Sequence, residues 1–140
     1  MANRRLAREL ALQALFYFDM DKNENNPEQL LDLFRTDFEK KVKNGGELFF
    51  LDLVHGVMEF KPKIDILLKE CSKNWKVSRM SGVDRNIMRI AIFELVNRPD
   101  IPSKVSINEA LEIAKKYGNS GSASFVNGIL DCVRTSEGIE

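Results

Sequence analysis

Few side chains in this sequence have the type and spacing to make or break a bond. The single histidine, His55, lies between Val54 and Gly56, and the two cysteines, Cys71 and Cys132, have no CxxC neighbour. Four well-spaced zinc ligands cannot be assembled from these without carboxylates, so no metal site is expected. A lone histidine in an apolar run is more often a hydrogen-bonded core residue than a catalyst. The pair Asp84-Arg85 reads either as an acid beside a cation or as a dipole-favoured aspartate at a helix start with an ion pair. Gly118, Gly121 and Gly128 follow no strand and match no phosphate-binding fingerprint. No catalytic residue and no cofactor are expected, which leaves binding as the chemistry to look for.

Binding chemistry is concentrated at the N-terminus. Drawn on a helical wheel, Leu6, Leu10, Ala14, Phe18, Ala7 and Ala11 gather into one apolar stripe. Arg8, Leu12, Arg5, Phe16 and Glu9 fall on the other side of the same helix. Two readings are open for this second face. It packs against further helices of the chain, with arginines at the edge, or it stacks an RNA base on Phe16 while Arg4, Arg5 and Arg8 take phosphates. Three phosphate contacts to a single strand imply a salt slope near −2, so a fourfold rise in salt costs about twentyfold in affinity. A site this small is weak alone and needs a second protein to extend it.

The elements that must position these residues are helical, because apolar residues recur at helical spacing and no alternating stretch is bounded by turns. The first helix is expected from about Asn3 to Met20. The second starts at Asn26-Pro27, carries Leu30, Leu31, Phe34 and Phe38, and ends at Asn44-Gly45-Gly46. The third begins near Glu47 and is apolar around much of its circumference, so it is expected to be the central, most buried helix. Pro62 should break or kink it, leaving Ile64 to Cys71 as a fourth. A fifth runs from about Val83 to Asn97. The sixth opens on the capping box Ser106-Ile107-Asn108-Glu109, with Val105 stapled against Ala110, and closes on Gly118 as a left-handed cap. The last runs from about Gly121 to Arg134.

The 140 residues have an ordinary globular balance of hydrophobic and charged side chains. The chain therefore reads as one globular domain, residues 1–140, able to build a core without staples. Both cysteines fall on apolar stripes and are expected to be small buried hydrophobes in a reducing compartment. No apolar signal core or long apolar segment is present, and a cytoplasmic location away from membranes is expected. The 21 basic and 21 acidic residues cancel overall. They do not cancel locally: residues 1–18 have three bases and one acid, residues 19–39 two and seven, residues 60–90 eight and three. Such segregation suits partners of opposite sign.

Arg5-Leu6-Ala7-Arg8-Glu9, then Ala11-Leu12-Gln13-Ala14-Leu15-Phe16, resembles the opening helix of the NusB transcription antitermination family. Asp84-Arg85, Arg89-Ile90-Ala91 and Glu94-Leu95 are similar to the family's fifth helix. Ile101-Pro102, Ile107-Asn108-Glu109-Ala110, Tyr117-Gly118, Ser122 and Phe125-Val126-Asn127-Gly128 are similar to its C-terminal signature.

The resemblance implies an all-α fold, a compact bundle of about seven helices in two packed helical subdomains, and a role without catalysis. It implies binding of boxA RNA in ribosomal RNA transcripts as a heterodimer with NusE, the small-subunit ribosomal protein ten, within an RNA polymerase antitermination complex. RNA-binding positions carried over by the motifs are Arg4, Arg5, Arg8, Phe16, Ser122, Ser124 and Phe125. Asp84 and Arg85 fall near the shared RNA and partner surface. The family often has tyrosine at the position of Phe16, and the loop Asn119-Ser120-Gly121 lacks charges that some relatives place there. Phe125 reads equally as a core residue with Ile129.

The competing reading is a helical protein-interaction module without RNA affinity; a homodimer burying the arginine-rich helix in the absence of partner would favour that module, or a storage form that masks the RNA site. A third, an enzyme centred on His55 or Asp84, requires an open pocket at either residue.

Overall fold

The computed structural model describes residues 2–21, 28–29, 31–32, 36, 46–73 and 75–140. Among them lie five α-helices and no strand: α1 (Ala2–Met20), α2 (Gly46–Cys71), α3 (Gly82–Asn97), α4 (Ser103–Tyr117) and α5 (Ser122–Ser136), with a short 3-10 turn at Val77–Arg79. The all-helical expectation holds, and the expected count of about seven is corrected to five among the described residues. The second expected helix, from Asn26 to Asn44, lies largely outside the described residues. The third and fourth are one helix, α2, which runs through Pro62. Proline removes one helical donor. Here it does so on the exposed turn Met58–Lys63.

The centre of the fold is α3, not α2 as its composition suggested. Every residue from Asp84 to Leu95 is buried, and α3 packs against α1, α2, α4 and α5. Its apolar side chains, among them Ile87, Met88, Ile92 and Phe93, join one core cluster with Leu10, Phe50, Leu53, Leu68 and Leu130. By contrast α2 leaves Leu48, Met58, Phe60 and Ile66 exposed. The polar residues of α3 disguise its position in the sequence, because each charged side chain among Arg85, Arg89 and Glu94 is neutralised inside the protein by a partner of opposite sign.

Helix boundaries follow local chemistry. The Asp84 N–H donates to Ser81 Oγ at 3.0 Å, capping α3, and Asp84 itself sits where the helix dipole favours an acid. The capping box expected at Ser106 does not form. The chain turns helical one turn earlier, at Ser103 after Pro102, and Ser106 Oγ donates instead to Glu94 Oε1 at 2.8 Å. Gly118 is extended (φ −89°, ψ −168°) and not left-handed. What it provides is room: an added Cβ would collide with the Ser122 side chain.

The two cysteines are half-buried and joined in a disulfide, Cα–Cα 5.8 Å, that ties the end of α2 to α5. This corrects the expectation of two free hydrophobes: the stripes that carry them face each other across the core. His55, expected in the core, is exposed on α2 with Nε2 3.4 Å from Glu28 Oε1.

A candidate RNA-binding surface on the first helix

The second face of α1 divides along its length, and both readings of it apply to different residues. Leu12 and Arg8 are each 3% exposed, and Glu9 is buried as well. These three pack beneath α3 and α4. Arg8 Nε donates to Glu94 Oε2 and Arg8 Nη2 to Glu94 Oε1, each at 2.8 Å, while Ser106 supplies the third hydrogen bond to that carboxylate. Glu9 Oε1 accepts from Tyr117 Oη at 2.7 Å and from Lys116 Nζ at 2.8 Å. Burial and then the bond to Glu9 push the Tyr117 hydroxyl above its ordinary pKa, so it stays a donor.

Arg4, Arg5 and Phe16 form the exposed remainder. Arg4 stacks over Phe49, 4.7 Å from the ring centroid, and its guanidinium has no hydrogen-bond acceptor among the described residues. Arg8 approaches the same ring at 5.0 Å. Arg98 does so at 5.3 Å. One buried phenyl thus gathers three cations. Arg98 is neutralised by Asp52 and Asp100, and its hydrogen bond holds the Asp100 carboxyl down at about 2. Arg5 forms a two-pronged pair with Glu109, Nε to Oε1 at 3.1 Å, which holds the Glu109 carboxyl below its usual range. Arg4, Arg5, Arg8, Asp100 and Glu109 wall an open groove of about 800 Å³ that also takes in Pro102, Val105 and Lys116.

Phe16 sits three turns further along, about 17 Å from Arg5 at roughly 1.5 Å per residue. It is 37% exposed, and Gly82 explains its seat, because a Cβ there would lie 2.7 Å from the Phe16 ring. Below it, Asp19 collects Arg85 (Nε 2.9 Å, Nη2 2.6 Å), Asn86 at 3.1 Å and Arg89 at 3.3 Å. Burial pushes the Asp19 carboxyl up, but the bonds from Arg85 and Asn86 and the charge of Arg89 outweigh it and hold the group below its ordinary value. Arg85 also donates to the carbonyls of Val77 and Met80, locking the 3-10 turn to the end of α1.

Of the sequence-derived positions, Arg4, Arg5 and Phe16 are thus exposed on α1. Arg8 is a brace under them, and Asp84 and Arg85 are buried beneath the turn. In the first turn of α5, Ser122 is buried with its hydroxyl accepting the Asn119 N–H at 3.0 Å, whereas Ser124 is exposed. Phe125 is half-buried, edge-on to Trp75 at 6.5 Å between centroids.

Phe49, Glu94 and Glu109 were not expected to take part in the site. Glu94 carried a signal, since it falls four residues after Ile90 on the core face of α3. Phe49 and Glu109 carried none, because their partners are distant in sequence. No cluster of potential metal ligands occurs among the described residues, and no helix of the described residues is long and apolar enough to cross a membrane.

A family profile described as the NusB family matches residues 5–134. The chain belongs to the NusB family. A transcription antitermination protein NusB of Desulforapulum autotrophicum is 54% identical over 140 residues, covering 100% of this chain and 96% of the relative. Among solved structures, T. maritima NusB superposes with a TM-score of 0.85 at 35% identity, over 94% of this chain and 90% of that one. A crystal structure of antitermination factors NusB and NusE in complex with dsRNA matches with a TM-score of 0.83 at 25% identity, over 97% of this chain and 98% of that one. NusB proteins are antitermination factors and not enzymes.

Proposed function

We propose that this chain binds boxA RNA of ribosomal RNA transcripts as a heterodimer with NusE, and that the pair supports a processive RNA polymerase complex. One observation carries the reading: the exposed side of α1 holds Arg4, whose donors meet no acceptor among the described residues, and Arg5 half-exposed at one end, and a surface phenyl, Phe16, at the other. Cations that take phosphates and a ring on which a base stacks are the two components of single-strand recognition. The likeness to a NusB structure that contains NusE and RNA supports the choice of partners.

In this reading Arg4, Arg5, Phe16, Ser124 and Phe125 touch RNA. Arg8, Ser122, Asp84 and Arg85 hold those groups in place from beneath. The chain works as a single domain in the cytoplasm, and without NusE it pairs with itself over the arginine-rich helix. Replacing Arg4 and Arg5 together by alanine tests the assignment. Retention of a boxA oligonucleotide should fall while capture of NusE stays unchanged. Equal RNA retention by the variant and the wild type would instead favour a protein-interaction module.

A further inference from the structure

The strongest surface outside α1 lies where α2 ends. An open groove of about 720 Å³ runs between the last turns of α2 and the 3-10 turn, lined by Pro62, Ile66, Lys69, Lys73, Trp75 and Lys76. Ile66 and Trp75 are each 57% exposed, a large apolar area for a position next to three lysines. None of Lys69, Lys73 and Lys76 has a carboxylate within ion-pair distance among the described residues. The one acid on the wall, Asp65, has both oxygens taken by Arg89 at 2.9 Å. The groove is therefore cationic as well as aromatic, and it holds three of the eight basic residues of the segment 60–90.

Trp75 is held firmly enough to serve as a platform. Its backbone N–H donates to Ser72 O at 2.8 Å, and Ser72 Oγ donates to Trp75 O at 3.0 Å. The indole packs edge-on against Phe125, at the entrance of α5. On the other side, the turn Val77–Arg79 is tied through Arg85 to Asp19 at the end of the helix that carries Phe16. The groove thus adjoins Phe125 and is tied through Arg85 and Asp19 to the Phe16 end of the proposed RNA surface.

We infer that this groove is a second single-stranded RNA subsite, in which a base stacks on Trp75 and the flanking phosphates are taken by Lys69, Lys73 and Lys76. The inference rests on the RNA-binding reading of the previous subsection and lengthens the strand the protein engages. A ring with an open face beside cations suits a nucleotide strand better than an acidic peptide, which would use the lysines and leave the indole idle. Only an unpaired strand offers a base face for stacking.

Trp75 is the chain's one tryptophan, so its fluorescence reports the subsite directly. The test titrates the chain with NusE against a minimal boxA RNA and against the same RNA extended by about four nucleotides at its 5′ or its 3′ end, within the footprint of a small single-strand site. One extension should quench Trp75 and bind roughly tenfold tighter, the lower range for one stacked base. The exposed triple variant Lys69→Glu, Lys73→Glu, Lys76→Glu should lose that gain while binding the minimal RNA as the wild type does. Absence of quenching with either extension overturns the subsite, as does an equal loss of both RNAs in the variant. A variant that keeps the gain but no longer captures NusE makes the groove a protein-docking site and also overturns it. Failure of the minimal RNA to bind at all overturns the RNA-binding reading itself, a result distinct from the others.

Discussion

Arg8 and Glu94 face each other through two parallel 2.8 Å hydrogen bonds in the interior, 86 residues apart in sequence. Arg8 is thereby withdrawn from the surface, although it lies on the same face of α1 as Arg5. The pair fixes α1 against α3, and Ser106 of α4 completes the carboxylate's coordination. The arginine-rich helix is consequently anchored by one of its arginines and presents the others.

Removing one partner of a buried pair leaves the other charge unsatisfied, at a cost of about 3–5 kcal/mol. Arg8→Ala should lose stability of that order in urea denaturation, and Arg8→Lys should also lose stability because an ammonium cannot make the two-pronged contact. Arg4→Ala, at an exposed position, should stay within about 0.5 kcal/mol of wild type. Equal stability of Arg8→Ala and Arg4→Ala would show that the buried pair does not anchor the helix.

Phe16 should matter to RNA and little to folding. Phe16→Ala is expected to weaken boxA binding by about 1–3 kcal/mol, the usual worth of one stacked base. Gly82→Ala should weaken it too, since the new Cβ pushes into the Phe16 ring and Met20. Filter binding of both variants, with thermal melts as control, checks this. Unchanged binding by Phe16→Ala would remove the ring from the site.

The Asp19 carboxyl titrates below its ordinary value of 3.8 in the folded protein. A group with a lowered folded pKa contributes stability that is present above the unfolded value and is lost as pH falls through the folded one. Stability should therefore decline on acidification below about pH 4, where the unfolded carboxyl begins to take up its proton. Asp19→Asn should be less stable than wild type at neutral pH and should show a shallower decline on acidification. Urea midpoints measured across that range give the comparison, and parallel profiles would contradict it.

The disulfide closes a loop between Cys71 and Cys132, with a sequence separation of 61. Reduction, or Cys71→Ser with Cys132→Ser, should lower stability by about 2–4 kcal/mol through the freedom regained by the unfolded chain. Melts with and without reductant check the value. An identical melting temperature in the two conditions would mean that the bond adds nothing.

Local pattern was enough to read the helical class, the ends of α1 and α3 within a residue or so, and the exposed positions Arg4, Arg5 and Phe16. It failed where a distant partner decides. Ser106 looked like a cap because its box is local, but Glu94 takes its hydroxyl. Arg8 looked like a phosphate ligand for the same reason. Composition ranked α2 as the central helix because it counts charges without knowing that Arg85, Arg89 and Glu94 are paired inside. Pro62 looked like a break because the sequence does not reveal that its turn faces water. Trp75 drew no attention, since a single aromatic in an irregular stretch has no period to mark it.

The central claim is that the chain holds RNA weakly through a few contacts on α1 and tightly only beside NusE. A salt titration of boxA binding, with and without NusE, tests it most directly. With Arg8 buried, Arg4 and Arg5 supply two phosphate contacts, so the chain alone should show a slope contribution of about −1.4, or roughly sevenfold per fourfold rise in salt. Arg4→Ala should reduce that slope by about 0.7, and NusE should tighten binding at every salt concentration. Binding that does not respond to NusE, with a slope untouched by Arg4→Ala, would contradict the account.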